Sequence, residues 1–353
     1  MLRREFFLSS LAGTAALVKA QNPKLRLGYD TYSLRAWGMK AMEHLEFAAK
    51  HGCTAIQLSS LGDFESLEAA HLEKVKAKAA ELNIVIDGGT GCICPTSKAY
   101  SARNGDAAEA LAKALKVAKA VGARTLRCFL GSSEDRLHPN GIEYHMEQTV
   151  KVFRACKGVA EDTGVKIALE NHSGDMQAWE LKALIEEAGK SYVGACADTG
   201  NPIWCVEDPA VTLEVLGPLT VTTHVRDTAI FKHPRGCAAH WTALGAGSVD
   251  LVNLANIQKK LAPGACLHLE LITGRPPRVI PYFEREFWKA FPKARAGEFA
   301  RFLALVEKGS PLMGAMVIED VGGVKPPEFV AALKRQQWMD LEAGLKFAQE
   351  KMI

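Results

Sequence analysis

What most constrains this chain is one pattern repeated along most of its length: a short apolar, strand-like run, then an amphipathic helix. The runs fall at 25–29, 54–58, 84–86, 125–130, 165–170, 193–198, 220–225 and 266–271. Helical periodicity fills the intervals at 41–51, 67–82, 107–121, 142–163, 179–187, 209–216 and 249–261. In the first of these, Met42, Leu45, Phe47 and Ala48 share the inner side. A long helix at 327–352 closes the series. Short runs joined by helices can pair only in parallel, because each crossover must return to the same end of the sheet. Eight alternations with short connections predict an α/β chain folded as a (β/α)₈ barrel in preference to a doubly wound sheet. The segment 87–91, Asp87-Gly88-Gly89-Thr90-Gly91, reads as a glycine-rich turn after the third run.

The last four runs share a second property, for each delivers a polar residue to its carboxyl end. Glu170 ends Leu169-Glu170-Asn171-His172, and Asp198 opens Asp198-Thr199-Gly200-Asn201. His224 stands in Thr223-His224-Val225-Arg226-Asp227, and Glu270 in Leu267-His268-Leu269-Glu270-Leu271. In a parallel barrel such residues gather on one rim. Three carboxylates and one imidazole there suit a divalent ion, with Mn²⁺ first and Mg²⁺, Co²⁺ or Zn²⁺ also accommodated. A structural zinc site would call for thiolates instead.

These four stretches resemble the metal quartet of the xylose-isomerase-like TIM-barrel superfamily, the sugar phosphate isomerases/epimerases. It includes ketose 3-epimerases, hydroxypyruvate isomerase, inosose dehydratase and the endonuclease IV group. The resemblance covers roughly 25–274 and is most specific at Leu169-Glu170-Asn171-His172 and at His224-Val225-Arg226-Asp227. Carried over residue by residue, it implies Glu170, Asp198, His224 and Glu270 as ligands, with Glu170 and Glu270 also the acid–base pair. One departure stands out: Asn201 occupies a place where ketose epimerases carry a histidine.

A dication beside a carbonyl stabilises the negative charge that develops when a neighbouring proton leaves. Glu170 and Glu270, on separate strands, could then serve the two sides of an enediolate. Proton return to the opposite face gives epimerisation, return to the next carbon gives isomerisation, and loss of a leaving group gives elimination. His172, Asn201, Arg226 and Asp227 are candidate substrate contacts, and Asp227 could alternatively orient the ligand histidine. Tyr32 and Trp37 are candidates for a sugar-stacking wall, as is Trp204. The run 245–250 (Gly245-Ala246-Gly247-Ser248-Val249-Asp250) resembles the family's glycine turn ahead of the seventh helix and reads as a backbone-shaping loop.

The remaining features limit the classes. A net charge of +3 is too small to argue for nucleic acid or an anionic membrane surface, and the multi-histidine cluster of an endonuclease IV is missing. Nine cysteines, several within strand runs, read as buried free thiols. Residues 1–20 carry Arg3-Arg4 ahead of an apolar run and small residues, a Tat-like signal pattern too short to span a membrane. This predicts an exported, periplasmic protein with no membrane segment in its mature form and a single barrel domain at 21–353. Residues at about 275–325 form an aromatic, basic insert expected to be an extra helical layer. The expected function is metal-dependent isomerisation or epimerisation of a non-phosphorylated ketose or polyol. The alternatives are a lyase or hydrolase of keto-glycosides, an inosose-type dehydratase, and an inactive sugar-binding protein. Barrels of this family often self-associate, so a homo-oligomer is expected.

Overall fold

Eleven strands organise the chain, in a computed structural model that describes residues 24–312, 318–320 and 322–353. The candidate leader at 1–20 lies outside the described residues. Eight strands build one parallel sheet: β1 (Leu27–Tyr29), β2 (Ala55–Leu58), β3 (Val85–Cys92), β4 (Thr125–Phe129), β5 (Lys166–Glu170), β6 (Val193–Asp198), β7 (Thr220–Val225) and β10 (Cys266–Leu269). Their spatial order is β1-β10-β7-β6-β5-β4-β3-β2. A bridge between Asp30 and Gln57 brings the two edge strands together, so the sheet nearly closes on itself. This is the (β/α)₈ barrel the alternation predicts.

Both faces of each strand are covered. In β10, Leu267 and Leu269 are 0% exposed and face the helices, while His268 alternates to the interior. Burying each leucine contributes about 1.5–3 kcal/mol relative to exposure. The pairing Asp198↔His224↔His268 shows that the same alternation turns the functional side chains inward.

Three expectations change. The glycine-rich segment at 87–91 is strand, not turn, because β3 runs through it to Cys92. A side chain at Gly89 would sit 2.4 Å from the Ser59 carbonyl oxygen, so glycine there lets neighbouring backbone approach the strand. The helix expected at 142–163 is two helices, Gly141–Ala155 and Lys157–Thr163, broken at Cys156. The third change concerns the insert at about 275–325, which is not purely helical. Its strand β11 (Arg278–Ile280) adds to an antiparallel hairpin outside it, β8 (Asp227–His233) and β9 (Gly236–Thr242), that directly follows β7. The helix Ala296–Lys308 packs on this small sheet. A second apolar cluster results, centred on Ile230, Cys237, Ile280, Tyr282 and Phe302. Phe299 and Trp288 meet edge to face at 4.9 Å, so most of these aromatic rings are packing rather than ligand platform. All nine cysteines are buried and unpaired.

Candidate metal centre and active site

Strand alternation and local caps fix each side chain at the barrel's upper rim. Asn171 bonds the ends of β5 and β6 together, donating to the Asp198 carbonyl and accepting from the Asp198 N–H, both at 2.9 Å. One Asp198 oxygen, Oδ1, accepts from the backbone N–H groups of Gly200 and Asn201 at 2.7 Å each. This turns its other oxygen, Oδ2, toward His224 and Arg226. A Cβ on Gly200 would come within 2.7 Å of the Arg226 side chain, so glycine is needed for the arginine to lie here. Ser33 brackets Glu270, donating to the Leu269 carbonyl at 3.2 Å and accepting from the Leu271 N–H at 3.0 Å.

The result is a buried cluster of Glu170, Asp198, His224 and Glu270 whose ligand atoms lie within 4.8 Å of one another. His224 Nδ1 is at its centre, 3.3 Å from Glu170, 3.3 Å from Glu270 and 3.7 Å from Asp198. On the other edge of the ring, Nε2 faces Gln57 Oε1 at 3.2 Å and Asp30 at 3.5 Å. Acceptors at Nε2 place the ring proton there and leave the Nδ1 lone pair for a cation.

Two guanidiniums border the carboxylates. Arg127 pairs with Glu170, while Arg226 pairs with Glu270 and stands 2.9 Å from Asp198 Oδ2. Four carboxylates, Glu170, Asp198, Glu270 and Asp30, are thus met by two arginines, leaving two negative charges in excess when His224 is neutral. Burial alone would lower the His224 pKa, but Cys196, Glu170 and Asp30 hold it up at about 10. The site therefore binds a proton tightly where a cation would sit. Buried His224 Nδ1 has no hydrogen-bond partner, while Asp198 Oδ2 and Glu270 Oε2 are met by the Arg226 guanidinium. Charge, donor set and the unpartnered imidazole nitrogen fit a divalent cation. Burial pushes Glu170 up, yet Arg127 and His224 outweigh it and hold the carboxyl well below its usual range.

A cavity of about 860 Å³ opens above the cluster. Glu270, Asn201, Arg226, His172 and Tyr32 line it. Asn201 donates from its side-chain amide to Glu170 at 3.0 Å. His172 stacks on Phe129 with ring centroids 3.8 Å apart, and its Nδ1 donates to the Gly131 carbonyl at 2.7 Å. That bond leaves Nε2 unprotonated, and burial lowers the ring's pKa to about 4.

Two expected contacts lie elsewhere. Asp227 neither lines the cavity nor orients His224. Its carboxylate instead accepts from the N–H groups of Gly245, Gly247, Val249 and Thr228, which ties down the glycine loop after β9. Trp37 also misses the cavity, since its indole donates to the Lys334 carbonyl at 2.9 Å and its ring rests 4.9 Å from Trp338. Trp204 does line the cavity, beside Trp241 from the unexpected hairpin.

Sequence reasoning passed over Gln57, Arg127 and Trp241. A polar or charged residue alternating inward within an apolar run, as in Ala55-Ile56-Gln57-Leu58 and Leu126-Arg127-Cys128, was the available signal.

Residues 45–290 match the family described as Xylose isomerase-like TIM barrel. The chain belongs to this family. Within the xylose isomerase-like barrels, D-psicose 3-epimerase of Clostridium cellulolyticum H10, solved with D-tagatose, superposes with a TM-score of 0.56 at 15% identity. The match covers 80% of this chain and 97% of that one. The IolI protein, solved with a bound zinc atom, gives a TM-score of 0.55 at 15% identity over 82% of this chain and all of that one. Among characterised sequences, 3-oxo-isoapionate decarboxylase of Pectobacterium atrosepticum is 24% identical over 215 residues. Those residues are 60% of this chain and 70% of that protein.

Proposed function

We propose that this protein is a divalent-metal-dependent enzyme that moves a proton beside the carbonyl of a carbohydrate, as an isomerase or epimerase. The observation that carries the proposal is the convergence of Glu170, Asp198, Glu270 and the unpartnered Nδ1 of His224 in one buried cluster, from which Glu270 reaches the lining of the cavity. Glu170, Asp198, His224 and Glu270 would hold the ion. When bound, it would supply Lewis-acid stabilisation of the oxygen on which negative charge develops. The protein's own groups do the rest. Glu170 and Glu270, from β5 and the end of β10, take and return the proton. Arg127 keeps Glu170 ionised between turnovers, and Asn201 fixes its orientation. His172, with Nε2 unprotonated, accepts a hydrogen bond from a substrate hydroxyl. The epimerase likeness at the level of fold and the donor set support this reading.

A second reading is loss of a group: a lyase removes the proton and then expels a leaving group, whereas a decarboxylase of a 3-oxo acid releases CO₂ in place of the proton and then protonates the enolate. The Pectobacterium relative favours it, and so does Asn201 in place of the histidine the resemblance leads one to expect. Each reaction passes through an enolate beside the carbonyl, and in the decarboxylase Glu170 or Glu270 would act only as the acid that protonates it.

Proton NMR in D₂O separates them. Metal-loaded protein incubated with ketoses, inososes, keto-glycosides and a 3-oxo sugar acid is expected to place deuterium beside the carbonyl with the skeleton intact. Release of an aglycone, water or CO₂ assigns the second reading. Exchange that persists in both Glu170→Gln and Glu270→Gln overturns the proposed acid–base pair.

A further inference from the structure

One wall of the cavity is a ladder of alternating cations and indoles, and beyond the pairing of Arg226 with Glu270 the proposed proton transfer does not use it. At its floor, the Arg226 guanidinium stands 4.4 Å from the centroid of Trp241. The Trp241 ring meets Trp204 edge to face at 5.5 Å. The Arg278 guanidinium covers Trp204 at 4.7 Å, at the mouth of the cavity. Trp204 is buried, yet its indole N–H has no partner, and Arg226 Nη1 likewise has none. Each rung thus presents a donor or a positive charge.

The mouth is positive as well. Arg275, Arg278 and Lys40 line it, and none of them forms an ion pair among the described residues. Arg35, also on the lining, is answered by Asp320. Asp63 is the acid facing this end. The floor is different. There the two arginines and a bound dication would balance four carboxylates, leaving no charge for a substrate anion to answer. The uncompensated charge therefore sits above the reacting centre, at the far end of the cavity. An arginine held over an indole by its π face can still turn N–H groups to an oxyanion, and the partial burial of the mouth strengthens that contact relative to open water.

We propose that the substrate is an acidic carbohydrate, whose oxyanion is held by Arg278 with help from Arg275 while its carbonyl end lies over the metal centre. The proposal rests on the carbohydrate reading above and goes further in giving the substrate's charge and the residue that selects it. A carboxylate and a phosphate ester share this chemistry.

The test is binding, read without turnover. Tryptophan fluorescence or calorimetry on the metal-loaded full chain gives dissociation constants for D-fructose, D-gluconate and D-fructose 6-phosphate. At least one anion is expected to bind tenfold or more tightly than D-fructose, and the preference should shrink as salt rises. Gluconate as the tighter ligand assigns a carboxylate, and fructose 6-phosphate assigns a phosphate. Arg278→Ala is expected to remove the preference while leaving the D-fructose constant unchanged, and Arg278→Lys to restore part of it. Arg278 is exposed, so the variant should unfold at the wild-type temperature. Equal affinity for all three ligands, no binding of either anion at millimolar concentration, or a preference that survives Arg278→Ala overturns the proposal. Anion preference without deuterium exchange retires the proton-transfer reading and leaves this one standing. Exchange on neutral ketoses with no anion preference does the reverse.

Discussion

The ring of His224 shows how much a single side chain depends on its distant partners. Its Nδ1 is useful to a cation only while Nε2 keeps the proton, and Asp30 and Gln57 enforce that from the other side. Removing such partners of a ligand histidine ordinarily weakens metal affinity about 10–100-fold. Asp30→Ala is therefore expected to lower zinc or manganese affinity by about that factor in calorimetric titration, and Gln57→Ala to a lesser degree. Wild-type affinity in both variants would remove them from the positioning of His224. Arg226 belongs to the same scale. Its backbone N–H donates to the Thr199 hydroxyl at 2.9 Å, and that hydroxyl donates to the Arg226 carbonyl at 3.0 Å. The residue after Asp198 thus fixes the residue two beyond His224.

Among the elements, the helix Ala178–Ala188 is the joint between barrel and insert. Glu180 accepts from the backbone N–H of Gln177 at 2.7 Å and from both terminal nitrogens of Arg136, at 2.7 and 2.9 Å. Arg136 reaches on to the Ala290 carbonyl at 2.7 Å and covers the Phe291 ring at 4.2 Å. Arg136→Ala would strand a buried glutamate and free residues 283–295. The expected cost is about 3–5 kcal/mol in chemical denaturation, with earlier proteolytic cleavage inside the insert. A loss under about 1 kcal/mol would place this pair among the many that contribute little.

Glu207 joins the same helix to the next one. Its carboxyl accepts from the Ala178 N–H at 3.2 Å and from the Thr212 hydroxyl at 2.5 Å. Burial raises it from 4.5 to about 7, against the pull of those hydrogen bonds. An acid whose folded pKa is raised stabilises the fold below its unfolded value and loses that contribution as pH climbs through the folded one. Stability should therefore fall by up to ~3 kcal/mol between pH 4.5 and 7 on account of this group. In Glu207→Gln that slope is expected to flatten, as followed by urea midpoints across the range. An unchanged slope would assign the pH dependence to other groups.

For the whole molecule, barrel closure sets the site and the hairpin with its partner helix sets the cavity wall. Nine buried, unpaired thiols need no oxidant to complete the fold. Among the described residues no helix is long and apolar enough to cross a membrane. Export before residue 21 remains our proposal from the Arg3-Arg4 pattern. It predicts that N-terminal sequencing of protein from the periplasm begins near Gln21, and a product retaining Met1 in the cytoplasm would retire it.

Sequence alone determined the barrel and singled out the four residues that cluster at its rim. The apolar runs have the length and spacing that only parallel pairing can satisfy. The period of two along a strand also says which residue at each strand end faces inward. Glu170, Asp198, His224 and Glu270 were legible because each closes its own run, a local property. Gln57 was not legible as a partner of His224, since 167 positions separate them and barrel closure alone brings them to 3.2 Å. The same holds for Arg127 against Glu170, a pairing set by the register of β4 on β5. Asp227 went the other way. Its place beside His224 suggested the site, but the chain turns there into the hairpin, and four backbone N–H groups claim the carboxylate first. Local period determines which face a side chain takes. Only the closed sheet and the strands folded across its rim decide which other side chains it meets there.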